Sequence, residues 1–305
     1  MKSKLIKFIK KAATTTASYA ALFFIHALSF QPLSVGYLVS DILTKMIAKK
    51  KKVAETAKRN LRRAFPEWTP EKVDAVYREY IRGCIDYMFE FLHFAHLSEK
   101  EIRKRCKFKN IALCEQLFKD HKFIICYAGH FLNYEYTVSC PLHLHNYGMC
   151  HMYLADRPNI FQDWILKSRS RFGAINIPTS NPLRTIVKLQ KDFDEGKSKH
   201  PGYILGTLAD MDTKEANPHC SDFFNRKMEM ITGSERIAKK YGMAFVFAKI
   251  TRPRRGYYEI EFKKIVPSSD LSESKYPYTD EFVRMLEENI KEQPEIWLHW
   301  ASPRF

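Results

Sequence analysis

Apolar positions along this chain follow two successive patterns. Between residues 73 and 92 they recur every three or four positions, through Val73, Val76, Tyr77, Tyr80, Ile81, Ile85 and Met88 to Leu92. That period predicts a long amphipathic helix with one face packed on the body of the protein. Thr69-Pro70 gives it an N-cap and a first-turn proline. Ser98 with Glu101 three residues on is a capping box that opens a second, short helix. Beyond residue 120, short apolar runs bounded by turn residues take over. Residues 123–127, 147–153, 175–177 and 202–208 read as strands. Residues 159–172, 182–194, 234–241 and 279–293 read as helices, with stops at Gly173, Gly242 and Pro294. Residues 244–250 and 257–265 form a hairpin around Pro253-Arg254-Arg255-Gly256. Strands alternating with helices predict an α/β fold: a mixed, largely parallel sheet flanked by helices, with an antiparallel edge. No repeat or Pro/Ser-rich linker divides residues 53–305, which read as one domain.

The first 52 residues follow neither pattern. Lys2, Lys4, Lys7, Lys10 and Lys11 precede a moderately apolar stretch, residues 19–30. Gln31-Pro32 breaks it, and a second stretch, residues 35–48, ends in Lys49–Lys52. The run is short for a span, which needs about 20 apolar residues, and His26 and Ser29 interrupt it. Lysines at both ends favour a cytoplasmic position for both. Two amphipathic helices or a shallow hairpin in the membrane interface meet those conditions, with a single span or a buried helix as the other arrangements. Residues 1–52 are therefore read as a membrane-associating segment.

Composition sharpens this picture. A net charge of +16 suits an anionic partner such as lipid headgroups, an acidic protein or nucleic acid. No nucleic-acid-binding motif appears, and the aromatics fall in apolar stripes rather than between basic residues. Seven cysteines without a C-x-x-C spacing suit free thiols in a reducing compartment.

The candidate chemistry lies in Ala128-Gly129-His130-Phe131-Leu132-Asn133-Tyr134-Glu135, directly after an apolar run. An α/β protein presents reactive groups at the carboxyl ends of its strands. A neutral imidazole can take a proton from a hydroxyl, and a carboxylate can fix its tautomer. On one helix, side chains five residues apart would diverge by about 140°. His130 and Glu135 therefore cooperate only with His130 in the loop and Glu135 in the first helical turn. Asp210 also follows a predicted strand, and Arg169 and Arg171 sit on a basic helix, a pattern that usually marks a solvated face. Cys140, His143, His145, Cys150 and His151 cluster in sequence, but their spacing matches no zinc site. G-x-G-x-x-G, Walker A, H-E-x-x-H and G-x-S-x-G motifs are absent, so no cofactor or metal is called for and nucleotide or serine-hydrolase chemistry loses its support.

The order of the segments adds a resemblance. Arg59-Asn60-Leu61-Arg62-Arg63-Ala64-Phe65-Pro66 stands before the long helix. Gly129-His130, Asn133-Tyr134-Glu135, Arg169 to Gly173, Ala209-Asp210, Phe223-Phe224, Thr232-Gly233 and Trp297-Leu298-His299 follow in turn. This succession resembles the late acyltransferases of lipid A biosynthesis, the lauroyl/myristoyl-transferase type, over nearly the whole chain. The resemblance implies a glycerolipid-acyltransferase-like fold and an enzyme of the inner membrane with its catalytic domain on the cytoplasmic face. It implies acyl carrier protein thioesters as donors and a hydroxyl of an anionic lipid A precursor as acceptor. It makes His130 the general base and Glu135 its orienting partner, with Asn133, Arg169 and Asp210 as further polar positions of the site.

The chain departs from that pattern in two places. The family loop reads H-x-G-N-W-E, whereas Leu132 and Tyr134 stand here in place of its glycine and tryptophan. Trp300-Ala301-Ser302-Pro303 separates His299 from Arg304, where the family carries arginines directly. An aminoacyl lipid or a glycolipid is the alternative acceptor. Two rivals remain: a basic membrane-binding protein without chemistry, and a glycerol-phosphate-type acyltransferase, against which the glutamate and the missing Pro-E-G-T-R element count. The oxyanion of acyl transfer needs a donor, for which the backbone near Asn133, its side chain and Arg169 are the candidates.

Overall fold

A seven-stranded sheet forms the centre of the protein in a computed structural model, which describes residues 25–48, 50–154, 160–211, 213, 215–303 and 305. The lysines of residues 2–11, and Arg304, lie outside the described residues. In chain order the strands are β1 (Cys106–Lys109), β2 (Phe123–Ala128), β3 (Gly148–Tyr153), β4 (Ile175–Pro178), β5 (Tyr203–Leu208), β6 (His219–Phe223), β7 (Arg226–Met230), β8 (Ala244–Arg254) and β9 (Tyr257–Lys264). Across the main sheet the order is β1-β9-β8-β2-β5-β3-β4. Every neighbouring pair is parallel except the β8–β9 hairpin. The mixed, largely parallel sheet expected from the sequence is therefore what the chain builds. β2 is buried along its full length, as a central strand with both faces covered should be.

The helices are α1 (Leu33–Ile47), α2 (Lys51–Ala64), α3 (Pro70–Phe94), α4 (Glu99–Arg105), α5 (Ile111–Leu117), α6 (Ile160–Arg169), α7 (Pro182–Asp194), α8 (Gly233–Lys240) and α9 (Pro277–Glu292). Both N-caps hold: the Thr69 side chain accepts from the Lys72 N–H at 3.3 Å, and Ser98 from that of Glu101 at 3.2 Å, while the Glu101 carboxylate pairs with Arg105. In α3 the apolar stripe is buried through Ile85, but Met88 is 63% exposed. Over these last turns the buried face carries Asp86 and Glu90 instead.

Several elements were not legible in the pattern, among them helices α2 and α5 and the strands β1, β6 and β7. β1 is only Cys-Lys-Phe-Lys, too short to alternate recognisably. β6 and β7 form a separate two-stranded hairpin whose turn residues, Phe224 and Asn225, have φ of 47° and 58°. A phenylalanine in that conformation carries no turn signal.

Helix α1 lies along α3 with Leu33, Gly36 and Ser40 buried. Its other side leaves Val35, Leu38, Val39, Ile42 and Met46 exposed, an apolar stripe at helical spacing. Arg255, in the β8–β9 turn, ties α1 to the body. It bonds both carboxylate oxygens of Asp86 at 2.8 and 2.6 Å, the Tyr37 carbonyl and Asp41. No helix among the described residues is long and apolar enough to cross a membrane.

Candidate functional site

β2 and β5 are adjacent and parallel, with Ala128 opposite Leu208 at their carboxyl ends. Two residues beyond each end stand His130 and Asp210. Equal overrun from paired strands brings the two side chains together although they are 80 residues apart. His130 Nδ1 lies 2.6 Å from Asp210 Oδ1, and the His130 backbone N–H donates to Oδ2 at 2.8 Å. The carboxylate thus holds both the ring and the backbone of the histidine. The indole N–H of Trp297 donates to Asp210 Oδ2 at 3.0 Å, and His299 Nε2 lies 3.7 Å from the same oxygen. Burial alone would raise the Asp210 carboxyl. The charge and hydrogen bonds of His130, with His299, outweigh it and hold the group at about 2, so Asp210 is a carboxylate. With Nδ1 on Asp210, a neutral His130 is the Nδ1–H tautomer and offers Nε2 as a proton acceptor.

The expected partnership of His130 with Glu135 is not the one the structure contains. His130 does lie in the loop, and Glu135 in the first turn of a 3₁₀ helix, Tyr134–Leu142. Glu135 pairs instead with Arg169 at the end of α6, accepting Nε–H at 2.8 Å and Nη2–H at 2.5 Å. Burial would lower the Arg169 guanidinium, but Glu135 keeps it above its ordinary value. The physical reason is the αL turn at Asn133, φ 49°, which sends the chain away from the histidine before Glu135 is reached. Asn133 is buried, and its Nδ2 donates to Glu90 at 2.7 Å. The amide is thus tied to Glu90 and lines neither the cleft nor the slot beside it, which leaves it poorly placed as an oxyanion donor. The N–H groups of Leu132 and Tyr134 are likewise spent, on the carbonyls of Ile296 and Phe131.

The imidazole, 17% exposed, faces an open cleft of about 580 Å³ bounded by Tyr134, Phe161, Arg169, Leu208, Gly233 and Ile237. Tyr134, Met152, Arg169, Thr207 and Leu208 are shared with a second, narrow cavity of about 60 Å³. That slot runs beside the sheet among Cys126, Val138, Met149, Ile260 and Phe262, so its wall is mainly apolar. The Glu135–Arg169 pair stands in its wall where the two spaces meet. The Cys126 thiol is buried, and burial pushes it above its ordinary range, so it is not a ready nucleophile. The five clustered cysteines and histidines do not converge, and His145 points outward onto Glu115. Among the described residues, the one such group whose ligand atoms lie within 4.8 Å of one another is His130, Asp210 and His299. Both Asp210 oxygens are already engaged by His130 and Trp297.

Trp297 and His299 were not singled out as site residues by the sequence. They arrive because residues 296–298 pair with the His130 loop: Leu132 N–H donates to the Ile296 carbonyl and Leu298 N–H to that of His130, both at 2.8 Å. The Trp-x-His spacing near residue 298 was the one signal available.

No curated protein matches the chain significantly. The sequence model described as "Bacterial lipid A biosynthesis acyltransferase" matches residues 5–305, and the chain belongs to that family.

Proposed function

We propose that this acyltransferase moves a fatty acyl chain from an acyl carrier protein thioester to a hydroxyl of a lipid A precursor, with His130 as general base. The observation that carries the reading is a His–Asp pair at the base of an open cleft that adjoins an apolar slot. Nε2 of His130 takes the proton of the acceptor hydroxyl as its oxygen attacks the thioester carbonyl. Asp210 holds the ring and offsets the imidazolium charge. The new C–O bond forms, the C–S bond breaks, and the proton passes from His130 to the departing thiolate. Arg169, fixed by Glu135 beside the cleft, is the side chain best suited to meet the oxyanion. The slot receives the acyl chain, and Met149 and Met152 allow its wall to adjust. The basic surface suits an acidic carrier protein and a phosphorylated acceptor.

The exposed stripe of α1 suits an interfacial helix at the cytoplasmic face of the inner membrane. A second acceptor class, another membrane lipid, is favoured by one observation: Tyr134, where the family has tryptophan, lines the cleft with its ring 5.4 Å from that of His130.

His130→Ala is expected to lose transfer by about 10³-fold or more, assayed with acyl carrier protein thioester and lipid A precursor. Its circular dichroism should match the parent. Retained activity in that variant would overturn the reading. Mass spectrometry of lipids from cells with and without the gene separates the two acceptor classes.

A further inference from the structure

Helix α3 carries two fully buried acids four residues apart, Asp86 and Glu90. They are treated differently. Asp86 is gripped by the Arg255 guanidinium. Glu90 forms no salt bridge among the described residues, and neutral groups from three separate elements hold it. Asn133 Nδ2 and the Tyr258 hydroxyl donate to Oε2, each at 2.7 Å, and the Tyr37 hydroxyl donates to Oε1 at 2.9 Å. Burial pushes the Glu90 carboxyl upward against these three hydrogen bonds. A buried acid without a cation is costly, and an apolar residue would stabilise the fold more cheaply.

What Glu90 touches gives it a use. Asn133 lies between His130 and Glu135 and takes the left-handed turn that separates them. Its carbonyl accepts the Tyr136 N–H at 3.0 Å, which opens the 3₁₀ turn carrying Glu135. The Asn133 side chain is anchored on Glu90. Tyr37 belongs to α1, the helix whose opposite side is the exposed apolar stripe. Gly256 makes room for it: its φ is +77°, and a Cβ there would come within 2.1 Å of the Tyr37 hydroxyl.

We propose that Glu90 is a positioning residue for the His130–Glu135 loop, and that Tyr37 makes helix α1 a structural part of the same support. The inference rests on the acyl-transfer reading above. Seating of α1 and the geometry of the catalytic loop are then one arrangement, joined through a single carboxylate.

The test uses the full chain in detergent with acyl carrier protein thioester and lipid A precursor. Tyr37→Phe deletes one hydroxyl and should lower kcat by about 3–10-fold, the worth of one hydrogen bond. KM for both substrates should stay unchanged, and the melting temperature should fall by only a few degrees. Glu90→Gln should keep near-parent kcat, because its carbonyl still accepts from Asn133 and Tyr258 and its amide can donate to Tyr37. Glu90→Leu should lose about 100-fold in kcat through the collapse of the whole cluster. The acid limb of the pH–rate profile should not move in any of them, since Glu90 transfers no proton. A Tyr37→Phe protein with parent kcat overturns the inference. So does a loss that appears in KM, or that tracks the melting temperature, or that shifts the acid limb. If Glu90→Leu fails to fold, Tyr37→Phe decides alone. If the parent transfers no acyl chain, the functional reading fails instead.

Discussion

At the scale of single residues, Asp210 rather than Glu135 is the carboxylate on which the histidine depends. Asp210→Asn would leave Nδ1 facing a group able to donate as well as accept, and the Nδ1–H tautomer would lose its enforcement. Activity should fall on the order of 10³–10⁴-fold with the fold retained, as read by steady-state kinetics. A loss under tenfold would contradict the assigned role. Asp210 also predicts a pH signature. Its folded value of about 2 lies below the ordinary 3.8, so its contribution is present above 3.8 and is lost as pH falls towards 2. Denaturant unfolding at a series of pH values should find the stability gap between parent and Asp210→Asn closing across that window, by roughly 2 kcal/mol. His130 was legible from its place after a buried strand, and so was Asp210. Their pairing was not, because H-x4-E advertises a local partner while the true partner depends on which strands lie side by side.

At the scale of elements, the boundaries that sequence supplied best were those with strong punctuation. The α7 helix, with Pro182 at its first turn, begins and ends where its pattern says, and α3 starts at its Thr-Pro cap. The buried face of the last turns of α3 differs from its apolar period, which continues through Met88 while two acids take the buried side. Burial of Asp86 and Glu90 depends on Arg255, Asn133 and Tyr258, all distant in the chain. The same helix accommodates Leu132, the unusual residue of the His130 loop. A Cβ at Gly83 would come within 2.4 Å of Cδ1 of Leu132, which is fully buried. Gly83→Ala should therefore destabilise the protein by about 1–3 kcal/mol through overpacking, despite alanine's better helix propensity. A raised melting temperature would show that Leu132 has room to move aside.

At the scale of the whole molecule, a basic body and an exposed apolar helix face describe a protein suited to an anionic surface. Leu38→Glu with Ile42→Glu changes only exposed positions, 63% and 55% accessible, so folding should survive. Co-sedimentation with anionic vesicles should weaken by roughly tenfold or more, from the lost burial of two aliphatic side chains. Undiminished sedimentation would remove α1 from the membrane contact. The parallel sheet and its helices were readable because their periods repeat over many residues. The two cavities were not, since their walls draw on residues from Phe108 to Phe262 that only the folded chain assembles.

The docking of residues 296–298 onto the His130 loop also has a consequence in time. Trp297 reaches Asp210 from 87 residues further along the chain, after every strand of the sheet has been synthesised. A growing polypeptide therefore carries its histidine and aspartate long before the indole that fixes them. Asp210 therefore gains its indole donor only once residues 296–298 have docked, so the site is completed by one of the longest-range contacts of the chain.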